Sequence, residues 1–119
     1  MLQVNNLGKS YNRRVIFEAV SCEVSAGQIL VITGPNGSGK STLLKILCGL
    51  ESPIRGSVLW SIADQEQGPK QAMKNLGYLS PEIGLYDRLT AAEHIAFFAA
   101  LRGVNRGEAW VKEALRRVQ

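Results

Sequence analysis

An α/β architecture built round a phosphate-binding loop follows from three features of this chain. Residues 34–41, Gly-Pro-Asn-Gly-Ser-Gly-Lys-Ser, fit the pattern G-x-x-x-x-G-K-[ST], with Thr42 next. The N-terminal part holds segments that alternate apolar and polar side chains, as half-buried strands do. The C-terminal third holds two segments with helical apolar stripes and recognisable start and stop signals. At 119 residues the chain makes one domain at most.

Residues 2–7 (Leu-Gln-Val-Asn-Asn-Leu) predict the first strand, and Val20, Cys22 and Val24, alternating with Ser21, Glu23 and Ser25, predict the second. Residues 8–14 between them form a turn-rich, basic connection holding Tyr11. Gly27 turns the chain into residues 28–33 (Gln-Ile-Leu-Val-Ile-Thr), whose unbroken apolar run predicts a buried strand leading into the phosphate loop. A helix from Ser41 to Leu50 carries Leu43, Leu44, Ile46 and Leu47 on a wide apolar face and stops near Gly49. Residues 52–56 read as a loop and 56–60 as a short strand. Residues 63–70 read as a polar surface excursion broken by Gly68-Pro69, and 76–80 as another short strand. Thr90 and Glu93 form a capping box that starts a helix running to about Arg102, before Gly103. From about Gly107 a second helix aligns Trp110, Val111, Ala114, Leu115 and Val118 in one stripe. It reaches Gln119 with no capping residue, and no internal repeat or low-complexity tract is visible.

Composition narrows the classes. The net charge of +4 is mild, and no long basic run or aromatic-interleaved patch accompanies it, so no nucleic-acid partner is expected. Cys22 and Cys48 are too few and too widely spaced for a metal pattern and read as buried free thiols. No basic-then-apolar leader and no apolar run of bilayer length occur, so any membrane role would come through a partner.

The loop residues have individual tasks. Gly34, Gly37 and Gly39 allow backbone angles and a close approach that side chains would forbid. With Pro35, Asn36 and Ser38 they form a concavity whose amides converge on an anion at a helix start. Lys40 brings a point charge to the outer phosphates. The hydroxyl of Ser41 suits Mg²⁺, which takes hard oxygen ligands and keeps several waters. The plain alternative is a glycine-rich turn with an incidental lysine.

Four stretches in order give a family resemblance. Residues 2–11 lead from a first strand to Tyr11; residues 34–44 word the phosphate loop; Gly77-Tyr78-Leu79 precede a loop; and Leu85-Tyr86 with residues 89–93 (Leu-Thr-Ala-Ala-Glu) precede a helix. In this combination the sequence resembles the nucleotide-binding domain of ATP-binding cassette (ABC) transporters, its N-terminal part only. The resemblance implies a partial P-loop NTPase (RecA-like) core with an N-terminal antiparallel β subdomain and the start of a helical subdomain. The domain would occupy residues 1–119: about 1–80 the β subdomain and phosphate-loop core, about 85–119 the helical part.

The resemblance implies ATP and Mg²⁺ as ligands. Tyr11 would stack on adenine, with Ile16 against the same base or in the core. Gly34, Pro35, Asn36, Gly37, Ser38, Gly39, Lys40, Ser41 and Thr42 would hold the phosphates, and Ser41 the metal. The chain departs from the family at the Q-loop. Ser80-Pro81-Glu82 stands where Pro-Gln is expected. Glu82 is either a substitute oxygen ligand for Mg²⁺ or a solvated loop residue. His94, the one histidine, falls outside the family's switch position and reads as a surface or boundary residue. Phe97, Phe98 and Trp110 read as helical-subdomain core.

No L-S-G-G-Q signature, no strand ending in Asp-Glu and no later switch histidine occur in these residues. Phosphoryl transfer rests on positioning and charge stabilisation, so the chain by itself is expected to bind ATP without hydrolysing it. It reads as a truncated cassette in which residues 29–32 present an unpaired apolar edge, marginal or self-associating by itself. The implied partners are a transmembrane permease subunit, docked on roughly the stretch from Glu82 to Arg102 near Leu85 and Tyr86, and a second ATP-binding subunit in a dimer. The implied location is the inner face of the cell membrane, cytoplasmic, held through the partner. The alternatives are a non-transport ATPase fragment of the same family, a small P-loop kinase or GTPase, and an interaction module without catalysis.

Overall fold

The computed structural model describes residues 1–82 and 84–118 and divides the chain into two units, residues 1–78 and 79–119. In the first unit the strands are β1 (Leu2–Tyr11), β2 (Arg14–Val24), β3 (Arg55–Ile62) and β4 (Gln65–Gln67). They form one antiparallel sheet in the order β2-β1-β3-β4. The helix α1 (Lys40–Leu47) lies between β2 and β3 in sequence, and the short α2 (Pro69–Ala72) follows β4.

The hairpin joining β1 to β2 is tighter than the predicted seven-residue connection. Asn12 and Arg13 alone turn the chain, at φ 46° and 68°, the paired left-handed conformation that matches strand twist in two-residue turns. Tyr11 therefore ends a strand. Ala63 and Asp64, at φ 50° and 61°, turn β3 into β4 in the same way. The predicted polar excursion over 63–70 is thus a turn, a three-residue strand and a helix start. Residues 76–80 form no strand.

A bulge in β1 sets which face its later residues occupy. Leu2 and Val4 are buried, Asn5 and Asn6 are both exposed, and Leu7 is buried again. Asn6 sits at φ 49°, and the pairing with β2 shifts between Val4 and Leu7. Such an insertion moves the alternation by one. From Leu7 onward the core face carries Leu7, Lys9 and Tyr11. Gly56 of β3 faces the bulge at φ 83°; a Cβ there would lie 2.4 Å from the Asn6 carbonyl oxygen.

The core consists of Leu2, Val4, Leu7 and Val58 from the sheet and Ile46 and Leu47 from α1, flanked by Phe17, Val20, Cys22, Val24, Leu43 and Trp60. Leu7, Val4 and Ile46 are the largest fully buried side chains, each stabilising by about 1.5–3 kcal/mol. The indole Nε1 of Trp60 donates to the Leu47 carbonyl at 2.9 Å, tying the sheet to the end of α1. That helix ends in a Schellman turn: Gly49 N–H donates to Ile46 and Leu50 N–H to Lys45, with Gly49 at φ 78°. Cys22 and Cys48 are free and half-buried, and burial pushes the Cys48 thiol up.

Residues 28–33 depart most from expectation. Among the described residues no strand pairs with them, and Ile29 and Val31 are 89% and 73% exposed. An apolar run becomes a buried strand only where neighbours take its backbone groups and cover its faces. The sheet beside it is completed by β2, β1, β3 and β4 among themselves.

The second unit contains α3 (Ala91–Leu101) and α4 (Gly107–Arg116), packed on each other. Thr90 caps α3 in the predicted box: Glu93 N–H donates to Thr90 Oγ1 at 3.3 Å, and Thr90 N–H donates to Glu93 Oε2 at 2.8 Å. The bonds from Thr90 favour the ionised carboxylate and hold Glu93 below its usual range. Trp110, Val111, Ala114 and Leu115 are half-buried, whereas Val118 lies beyond the helix and is exposed. Phe97 and Phe98 are exposed, not core. The uncapped end expected at Gln119 lies outside the described residues.

Candidate phosphate-loop site

The site is built where β2, the glycine loop and the start of α1 meet. Gly39 is the N-cap of α1 at φ 91°; no side chain caps this helix start, and no acidic residue lies in its first turn. The first helical bond runs from Leu43 N–H to the Gly39 carbonyl at 2.8 Å. The amides ahead of Leu43 are the donors that any helix start leaves unsatisfied within the helix. With no acid in that turn, the positive end of the helix dipole is open to an external anion.

Two of the loop glycines are hemmed in by their surroundings. A Cβ on Gly39 would lie 2.5 Å from Ile16 Cγ2 and 3.1 Å from the Phe17 ring, and one on Gly34, at φ 152°, would lie 2.9 Å from Ser38 Oγ. Ile16 therefore forms a wall behind the loop. The Lys40 ammonium lies across its own loop and donates to the carbonyl oxygens of Gly34 at 2.8 Å and Pro35 at 2.7 Å. A cavity of about 260 Å³ opens here between Phe17, Thr33, Pro35, Ser38, Lys40 and Leu43.

These groups fit a magnesium-bound polyphosphate. The Lys40 ammonium and amide donors suit phosphate oxygens, and the exposed Ser41 offers a hard oxygen. Among the described residues no group of three or more His, Cys, Asp or Glu could hold a metal. A cation at Ser41 would take its other ligands from phosphate and water, the set that Mg²⁺ prefers.

Tyr11 is tied down on two sides. Its hydroxyl donates to Glu51 Oε1. The Lys9 ammonium stands 4.8 Å from its ring centroid, at cation–π distance. Lys9 is only 9% exposed; its ammonium lies 2.9 Å from Glu51 Oε1 and 2.7 Å from the Ser52 carbonyl oxygen. The shared proton bond acts oppositely on its two ends. The carboxylate of Glu51 pushes the Tyr11 phenol up, and the Tyr11 hydroxyl, then Lys9, hold Glu51 down.

Tyr11, Ile16 and residues 34–42 all belong to the first unit, with Ile16 against Gly39. Glu82 belongs to the second unit, exposed, with its amide donating to Ser80 Oγ at 3.2 Å. Sequence reasoning missed Lys9 and Glu51. The two-residue spacing of Leu7, Lys9 and Tyr11 on one strand face was the available signal.

Within the stretch 82–102, Ile83 lies outside the described residues. Leu85 and Tyr86 are exposed. Tyr86 packs edge-on against Phe97 at 5.6 Å and stacks with His94 at 6.1 Å. His94 Nε2 accepts from Tyr86 N–H at 2.8 Å, and Nδ1 lies 3.1 Å from the Thr90 carbonyl oxygen. Both contacts are satisfied by the neutral ring carrying its proton on Nδ1.

A profile of the family described as ABC transporter matches residues 17–119. The cytochrome c biogenesis ATP-binding export protein CcmA of Cupriavidus pinatubonensis is 37% identical over 118 residues, 99% of this chain and 52% of that protein. The SkfA peptide export ATP-binding protein SkfE of Bacillus subtilis is 38% identical over 113 residues, 95% of this chain and 46% of that protein. The chain thus spans about half the length of these relatives. Among solved structures, the ATP-binding cassette MJ0796 bound to ADP and Pi, a dimer, aligns with TM-score 0.75 at 27% identity, covering 98% of this chain and 55% of that one. A putative ABC transporter ATP-binding protein from Pyrococcus furiosus aligns with TM-score 0.85, covering 99% and 56%; at 23% identity it speaks to fold alone.

Proposed function

The chain belongs to the ABC transporter family, and from that premise we propose that it is the nucleotide-binding part of a transporter's ATP-binding subunit, holding MgATP at residues 34–42. The observation that carries this reading is the uncapped, acid-free start of α1 behind Gly39, with Lys40 folded across the loop.

Bound MgATP would supply the phosphoanhydride and its charge. The chain's own residues do the rest. Lys40 would exchange its two carbonyl partners for phosphate oxygens, a charge-assisted pairing stronger than the bonds it leaves. The amides at the start of α1 would take the remaining charge, and the Ser41 hydroxyl would hold the metal. Tyr11 would stack on adenine. Glu82 is the candidate oxygen group in place of a Q-loop glutamine.

Because L-S-G-G-Q and Asp-Glu patterns are absent from these residues, this 119-residue chain binds without turnover. In its working context it pairs with a second ATP-binding subunit and docks a transmembrane permease through residues 82–102, at the cytoplasmic face of the membrane. Among the described residues no helix is long and apolar enough to cross a membrane.

Calorimetric titration of the chain and of Lys40→Ala with MgATP tests the reading. Losing one charged hydrogen-bonding group weakens binding by about 1.5–3 kcal/mol, roughly tenfold to a hundredfold. Equal affinity in Lys40→Ala sinks the assignment.

A further inference from the structure

Lys9 is a charged side chain in the core-facing row of β1, only 9% exposed, and it needs a reason to be there. Its ammonium is fully engaged: with Glu51 at 2.9 Å, with the Ser52 carbonyl at 2.7 Å and with the Tyr11 ring at 4.8 Å. Glu51 spends its carboxylate on the same neighbourhood, accepting from both Lys9 and the Tyr11 hydroxyl. Two segments distant in sequence, the end of β1 and the turn after α1, therefore converge on one phenol.

We infer that Lys9 and Glu51 are positioning residues that fix the Tyr11 ring as a platform for the nucleotide base. This rests on the reading of Tyr11 as the adenine contact and extends it to two residues that touch no part of the nucleotide. A tyrosine at a strand end beside a two-residue turn would otherwise sample several rotamers. The Glu51 bond fixes the hydroxyl, and Lys9 covers one face. Tyr11 itself stays 44% exposed, so ring ordering is completed before the base arrives, and binding loses less side-chain freedom. A merely structural Lys9–Glu51 pair would anchor the turn after α1 to β1, alongside the Ile54 N–H bond to the Gly8 carbonyl at 2.9 Å, without favouring one ligand over another.

Two probes separate these roles: MgATP, and magnesium tripolyphosphate, which has the phosphates and no base. Both are titrated against the full chain, Tyr11→Ala, Tyr11→Phe, Glu51→Gln and the Tyr11→Phe/Glu51→Gln double variant. Positioning requires Glu51→Gln and Tyr11→Phe each to weaken MgATP by about threefold to tenfold, the worth of one hydrogen bond. Tripolyphosphate affinity should stay unchanged, and the double variant should be no weaker than either single one. Equal loss for both probes, or additive losses in the double variant, overturns the proposal. Should Glu51→Gln fail to fold, Tyr11→Phe, which alters only an exposed hydroxyl, decides between the two roles by the same comparison. If Tyr11→Ala keeps full MgATP affinity, the adenine reading itself has failed. If it loses about tenfold or more, as stacking requires, while Tyr11→Phe and Glu51→Gln lose nothing, only the positioning claim has failed.

Discussion

Glu51 and Tyr11 share one proton bond, and its two ends respond to opposite extremes of pH. Glu51 is held below its ordinary value of 4.5, by the Tyr11 hydroxyl first and Lys9 second. Because its folded value lies below its unfolded one, its stabilisation is present above pH 4.5 and is lost as pH falls through the folded value. Tyr11 is raised above 10.0. Its contribution is complete below that pH and is lost as pH rises through the folded value. Glu93 is also lowered and loses stability on the acid side too, so the difference between the chain and Glu51→Gln isolates the pair. Thermal melts from acid to neutral pH should show that difference shrink as the pH falls below 4.5. A constant difference would show that the pair adds no pH-dependent stability.

The strand elements owe their register to a bulge. Asn5 and Asn6 both face outward, and this one-residue slip is what puts Lys9 and Tyr11 on the side of α1. Gly56 opposite it has no room for a methyl group, with carbonyl oxygens of Asn6 and Asn5 at 2.4 and 2.5 Å from the Cβ position. Gly56→Ala is expected to destabilise the first unit by about 1–3 kcal/mol from backbone strain alone, more once the contact is included. Denaturant unfolding measures it, and a loss under about 0.5 kcal/mol, the range of ordinary surface changes, would contradict the bulge geometry. The helix signals were legible in the chain, because caps and glycine stops act within a few residues: Thr90 with Glu93, Gly49 and Gly103 all mark the helix ends that local pattern predicts. Sheet partners were less legible. Residues 28–33 and 76–80 have strand-like composition, yet whether a strand forms depends on neighbours that local pattern does not encode. The phosphate loop was visible as a motif, whereas Lys9 and Glu51 join Tyr11 only through the bulge and the turn after α1.

At the scale of the whole molecule, apolar surface is unevenly placed. In the first unit Ile29 and Val31 stand 89% and 73% exposed in a segment whose backbone pairs with no strand among the described residues. Such a segment is a template for association. Sedimentation of the 119-residue chain should show mass rising with concentration, and a double Ile29→Lys, Val31→Lys variant should shift it towards monomer. A sharp monomer across the micromolar range for the unaltered chain would contradict this. In the second unit neither α3 nor α4 buries a side chain fully. Its amides are expected to exchange faster than those around Leu7 and Ile46, since local opening there uncovers little apolar area.

The bond from the Trp60 indole to the Leu47 carbonyl joins the sheet to the far end of the helix whose start faces the phosphate loop. Indole emission depends on what its N–H donates to and on how wet its surroundings are. A displacement of α1 along its axis would therefore change the colour of the light that Trp60 emits, legible once the chain's other indole, Trp110, is replaced by phenylalanine.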